Sequence, residues 1–279
     1  MNNTLKLLAI ALLSSILFAC ATVPFTGRKQ TKLLPETMLA EMALAQYTAF
    51  LQENKVSANR ENTALVKTVG NNIRIATEKY YADKNWTDKL KNYKWEINLV
   101  DDPTVNAWAM PGGKIVVYSG LLNVAKNTDG LAVVMGHEIA HALAHHGNER
   151  MTQGLAVQLG GIALSEAIKT KPEATQTIFN TAYGLGANIG VILPFSRKHE
   201  SEADEIGLYL MAMAGYDPTE AAPFWERMNS SGGQRPPEFL STHPDPQRRS
   251  TRLKELVPKA QEYAREFNNA NSQARRSFK

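Results

Sequence analysis

Apolar positions change their period several times along the chain, and each change marks an element. From Leu7 to Ala19 they are almost continuous. That run is shorter than the ~20 residues of a membrane span and suits a secretory signal. Residues 20–35, "CATVPFTGRKQTKLLP", lose any period and carry Pro and Gly breakers, which predicts a tether. From Glu36 to about Tyr81 apolar residues recur at three- and four-residue spacing, as in Leu65, Val69, Ile73 and Ala76, and predict helix. In "KWEINLV", Trp95, Ile97 and Leu99 alternate with polar neighbours, the pattern of a half-buried strand. A second extended segment, "NAWAMPGGKIVVYSGLL", turns at Pro111-Gly112-Gly113 and enters a β-branched strand from Ile115 to Tyr118.

The period then becomes helical. Thr128 or Asp129 can cap a helix running to about His146, with Gly147 as its stop. Residues 151 to 190 are rich in Gly and Ala and broken at "KTKPEA", which predicts two packing helices. Gln158, Ser165, Glu166 and Asn188 interrupt their apolar stretches, so neither is long enough to span a membrane. Another helix covers roughly Ser196 to Ala214, followed by a Pro/Gly-rich loop at 229–246 and a charged amphipathic C-terminal helix. The expected fold is α+β, mainly α, with a small antiparallel sheet.

A length of 279 residues suits one sizeable domain. At 43% hydrophobic and 21% charged, the chain is neither disordered nor fibrous. Lys and Arg, 31 against 27 Asp and Glu, exceed the acids too slightly and too evenly to indicate nucleic acid. The basic "RRSFK" end reads as a solvated tail. Cys20 is the only cysteine, so it has no disulfide partner in the chain. With Leu17 and Ala19 before it in "LFAC", it resembles the lipidated first residue of a bacterial lipoprotein. Ala21, where an Asp would change the sorting, resembles lipoproteins sent to the outer membrane. The expected layout is a signal peptide at 1–19, a lipid-attached tether at 20–35, one main folded domain at 36–258 and a basic C-terminal helix or tail at 259–279. The expected location is the bacterial cell envelope, lipid-anchored at the outer membrane and facing the periplasm.

The candidate chemistry begins at "MGHEIAHALAHHG", residues 135–147. His137 and His141 lie four apart, about 40° in angle and about 6 Å in rise on a helix, so both imidazoles can meet one metal ion. Glu138 stands beside the first, placed to take a proton from an attacking water. A catalytic zinc takes three protein ligands and leaves one position open. A third histidine six residues after His141 would complete another zinc-peptidase arrangement, but that position is Gly147. His145 lies about 80° around the helix from His137 and His146 further still. Both read as helix C-terminal residues favourable to the dipole. "SRKHESEADEIGLYLMAMAG" supplies the missing acid. Glu200 falls in line with Ala203, Gly207, Leu210, Met211 and Ala214 on the core-facing stripe, while Glu202, about 200° away, should point outward. Asp204, one turn beyond Glu200, can accept the free N–H of a ligand histidine.

These residues resemble family M48 of zinc metallopeptidases (HtpX/Ste24/Oma1-like), in its exported bacterial lipoprotein branch. The resemblance covers roughly residues 60–255 and rests on "NAWAMPGGKIVVYSGLL", "GHEIAH", "SRKHESEAD" and "THPDPQRR", in that order. It implies a zincin-type core around the HExxH helix and one Zn2+ per chain on His137, His141 and Glu200. It also implies Glu138 as the base, Asp204 as the orienting partner, and Asn106 and Ala107 on the substrate side. The strand before the motif helix is expected to form an edge where extended protein substrates add. The expected activity is endopeptidase cleavage of misfolded or unassembled envelope proteins, in protein quality control. The alternative is a non-enzymatic chaperone or assembly scaffold for outer-membrane proteins. His243 in "STHPDPQRR" has two open active-site roles, as hydrogen-bond donor to the developing oxyanion or as a fourth ligand that keeps the enzyme latent. The bland reading is a loop residue fixed by Pro244.

Overall fold

The computed structural model describes residues 20–158, 196–231, 238–243 and 246–277, with positions 172, 173, 175 and 178 between them. The expected signal and most of the two Gly/Ala-rich helices lie outside the described residues.

Strands β1 (Cys20–Thr22) and β2 (Lys29–Thr31) pair antiparallel, Cys20 opposite Thr31. The segment expected as a tether is therefore built onto the domain. Its Pro and Gly breakers fold it back, with Gly27 at φ 70°. Its apolar residues then dock: Val23 and Leu34 are buried, and Phe25 stacks on Tyr80 with centroids 4.5 Å apart.

The helical run expected from 36 to 81 is two helices, α1 (Glu36–Glu53) and α2 (Arg60–Asp83). Asn59 starts the second, its side chain accepting the Asn62 N–H at 3.0 Å. The sheet holds β3 (Glu96–Val100), β4 (Ala107–Met110) and β5 (Lys114–Tyr118) in the order β3-β5-β4. β3 runs parallel to β5 and β4 antiparallel to it, so this sheet is mixed. The turn at Pro111–Gly113, with Gly112 and Gly113 at φ 78° and 79°, inserts β5 between its neighbours. β5, the strand expected at the edge, is therefore central, and β4 and β3 are the edges.

α3 (Ser119–Ala125) leads to α4 (Thr128–Leu143), whose cap is Asn127, accepting the Gly130 N–H at 2.7 Å. Every residue of α4 from Gly130 onward is buried, so the motif helix runs through the core. It stops three residues before the expected end. His145 adopts φ 55°, and a separate helix, α5 (His146–Gln158), begins. α6 (Arg197–Met213) is capped by Ser196, and α7 (Ala221–Ser230), α8 (Glu238–Thr242) and α9 (Pro246–Ser277) follow. α4 and α6 touch backbone to backbone. A Cβ on Gly136 would lie 2.8 Å from the Gly207 carbonyl oxygen, and one on Gly207 2.7 Å from the His137 nitrogen. Among the described residues no helix is long and apolar enough to cross a membrane.

Candidate active site

The Gly136–Gly207 crossing places the two motif helices so that their polar residues share one buried space. His137 and His141 approach each other Nε2 to Nε2 at 3.0 Å. Glu200, on the first turn of α6, reaches both: Oε2 lies 3.5 Å from His137 Nε2 and Oε1 3.3 Å from His141 Nε2. His243, just past α8, brings Nδ1 to 3.0 Å from Glu200 Oε1 and 3.2 Å from His137 Nε2. One donor atom from each of these four buried residues falls within 4.8 Å of the other three. The stripe argument for Glu200 thus meets the spacing argument for the histidines at one point.

Asp204 stands where a ligand-orienting carboxylate was expected, Oδ1 at 3.0 Å from His137 Nδ1. Its second partner, Arg249 on α9, has no place in the sequence reading. The guanidinium grips Asp204 through Nε at 2.8 Å and Nη2 at 2.6 Å, brings Nη1 to 3.0 Å from Glu200, and lies 3.4 Å over the Trp225 ring. Burial alone would raise both carboxyls. Beside Arg249, Asp204 is instead held below the usual carboxylate range. Glu200, with His243 and Arg249 against it, is held well below that range. Two buried anions thus face one buried cation, with Glu138 as a further carboxyl. The proton on His137 Nδ1 goes to Asp204, so its Nε2 presents a lone pair to the cluster. Converging lone pairs, carboxylate oxygen and uncompensated negative charge suit a divalent cation held by nitrogen and oxygen donors.

Glu138 faces the same space from α4. Its Oε2 accepts the Ala109 N–H at 3.3 Å, and Oε1 has no hydrogen-bond partner among the described residues, lying 3.5 Å from His243 Nε2. Burial pushes this carboxyl up, with His243 and His137 opposing. Ala109 belongs to edge strand β4. Tyr118 N–H donates to the Asn106 carbonyl at 3.1 Å, so even-numbered positions of β4 pair with β5 and the N–H groups of Ala107 and Ala109 face away. The Ala107 N–H meets the Asn106 side-chain oxygen at 2.9 Å. The outer edge of β4 therefore borders Glu138, with Asn106 and Ala107 at its start.

Two expectations about neighbouring residues fail. Glu202 does not point outward: it is buried, accepting from His146 Nε2 at 2.9 Å and from Arg28 Nε at 2.6 Å. The folded N-terminal segment covers that side of α6, which a two-sided helix pattern cannot anticipate. Nor does His146 point away. The break at His145 starts α5 with His146 turned back, Nδ1 at 2.9 Å from His141 Nδ1. His145 itself pairs with Glu36 at 3.0 Å.

Residues 76–257 match peptidase family M48. The chain belongs to that family. It is 38% identical over 174 residues to the mitochondrial metalloendopeptidase OMA1 of Schizosaccharomyces pombe, covering 62% of this chain and 49% of the relative. Human mitochondrial metalloendopeptidase OMA1 is 31% identical over 245 residues, 85% of this chain and 46% of the relative. The β-barrel assembly-enhancing protease of Escherichia coli is 32% identical over 165 residues, 54% and 32% respectively. The chain spans about half the length of the curated OMA1 relatives it matches. Members of the M48 family are metal-dependent peptidases, and the His/His/Glu/His cluster lies inside the matched region.

Proposed function

We propose that this protein is a zinc-dependent endopeptidase that cleaves extended segments of misfolded or unassembled envelope proteins. The observation that carries the reading is the convergence of His137, His141 and Glu200 beside Glu138, whose Oε1 is buried without a hydrogen-bond partner among the described residues. Imidazole nitrogens with a carboxylate oxygen at tetrahedral number form the set zinc prefers. Bound there, the metal supplies a Lewis acid and an activated water. Glu138 accepts the attacking water's proton and returns it to the leaving amine, and burial, which raises its pKa, makes it a stronger base for that exchange. A substrate strand adds to the outer edge of β4 at the main-chain groups of Ala107 and Ala109, with the Asn106 side chain, which caps the Ala107 N–H, beside them. Such pairing reads little side-chain sequence, which suits clearance of misfolded chains. Similarity to the Escherichia coli β-barrel assembly-enhancing protease supports substrates that fail to assemble.

The leader supports export. Residues 1–19 place one lysine before a near-continuous apolar run, the pattern of a secretory signal. Lipid at Cys20 then holds the domain at the outer membrane, on the periplasmic side. Replacing Cys20 by Ser is expected to abolish palmitate incorporation and release the protein from the membrane fraction.

Casein digestion by purified protein tests the activity. Glu138→Gln is expected to lower the rate by roughly 10²–10⁴-fold with metal content unchanged. Equal digestion by the variant would leave only a binding scaffold. The geometry of His243 favours the latent form, because its Nδ1 converges with the other candidate ligand atoms. His243→Ala is therefore expected to raise basal digestion several-fold. A fall instead would assign His243 to the oxyanion, and unchanged kinetics would take it out of the reaction.

A further inference from the structure

His141 and His146 meet Nδ1 to Nδ1 at 2.9 Å, with ring planes at 75°. His141 turns Nε2 toward Glu200 and His137; as a metal ligand its Nε2 would carry the lone pair and its Nδ1 the proton. Two imidazole nitrogens at hydrogen-bond distance need one donor and one acceptor. His146 therefore accepts on Nδ1 and keeps its own proton on Nε2, which donates to Glu202 Oε2 at 2.9 Å. Glu202 in turn takes a hydrogen bond from Arg28 Nε at 2.6 Å and another from the Thr26 hydroxyl. Arg28 also holds both oxygens of Glu149, at 3.0 and 2.7 Å. His146 is fully buried, so water does not substitute for any of these partners. Each link has a single polarity: His141 donates to His146 and His146 to Glu202, where Arg28 of the N-terminal segment donates from the other side.

We propose that His146 is a positioning residue of the metal site: it fixes the tautomer and ring plane of His141, and is itself fixed by Glu202 and Arg28. His137 receives the corresponding support from Asp204, an ionised carboxylate; His141 receives it from a neutral imidazole. The inference rests on the metal reading of the site.

Metal affinity of the full chain, measured for zinc and cobalt by competition with a chromogenic chelator, is the test. His146→Leu is expected to weaken binding 10–100-fold, the usual effect of losing a ligand's outer partner. His146→Asn keeps a carbonyl that can accept the His141 Nδ1–H, and is expected to bind within several-fold of the unsubstituted protein. A merely structural role would lower the melting temperature of both variants and leave their affinities alike. Equal affinities overturn the proposal. If His146→Leu does not fold, Glu202→Leu, which frees the His146 ring to flip, is expected to lose several-fold in affinity, and unchanged binding again overturns it. Lack of uptake by the unsubstituted protein would instead sink the metal reading itself.

Discussion

Arg249 is the permanently charged partner of two buried carboxylates. Its fork on Asp204 and its stacking on Trp225 fix the guanidinium plane, and Glu200 uses the remaining nitrogen. Lysine offers a point charge without fork or plane. Arg249→Met leaves Asp204 and Glu200 uncompensated, and in the metal-free protein should cost about 3–5 kcal/mol of stability. Arg249→Lys should recover less than half of that, read by urea denaturation. A lysine variant as stable as the parent would show that charge alone suffices. Sequence reveals such a residue poorly. The spacing of His137 and His141, and the stripe containing Glu200, are properties of single helices and were legible. Arg249 acquires its role only when α9 packs on α6. His146 acquires its own only because the chain breaks at His145.

Between elements, the site depends on how closely α4 and α6 approach. At 2.8 and 2.7 Å, a methyl on Gly136 or Gly207 meets backbone, which cannot rotate away. The helices must separate, and His137 moves away from Glu200. Gly136→Ala and Gly207→Ala are each expected to cost about 1–3 kcal/mol and to weaken metal binding by more than that loss of stability explains. Gly154→Ala is the control, since its methyl would lie an ordinary 3.5 Å from the Ile178 side chain. Metal affinity unchanged in the crossing variants would show that the ligands tolerate a wider gap. The elements themselves were largely foreseeable: the strands near Ile97 and Ile115, the motif helix and the helix from Arg197 follow their periodicities. Strand order was not. Periodicity says which face is buried, while the placement of β5 between β3 and β4 is set by the turn at Gly112 and Gly113.

At the scale of the whole molecule, the N-terminal segment and the start of α1 are fastened beside the site by ion pairs rather than by apolar area alone. Arg28 binds Glu149 and Glu202, and Lys32 binds Glu36, which also holds His145. Burial would raise Glu149, but hydrogen bonds from His199 and Arg28 hold it down to about 2. Burial would likewise raise Glu36, but His145 and then Lys32 hold it down to about 2. Released on unfolding, both carboxyls return to their ordinary value near 4.5. Between those values the unfolded chain binds more protons than the folded one, so stability rises with pH across that window. These two groups therefore contribute fully above about pH 5, and their contribution disappears as pH falls from 4.5 through 2. Urea denaturation of the metal-free protein over a pH series should show their share as a decline below about pH 5. It adds to an earlier decline that starts near pH 6.5 as His146, held down to about 4 by burial, is forced to charge. Using the metal-free protein keeps proton competition at the ligand atoms from being mistaken for that decline. Glu149→Gln should flatten the decline by at most roughly 2 kcal/mol, allowing for partial solvent screening. It should do so while lowering stability at pH 7, because the uncharged amide no longer pairs with Arg28. If that variant keeps the parent's acid slope, fastening of the N-terminal segment is not what acid undoes, and the loss must come from carboxylates inside the site.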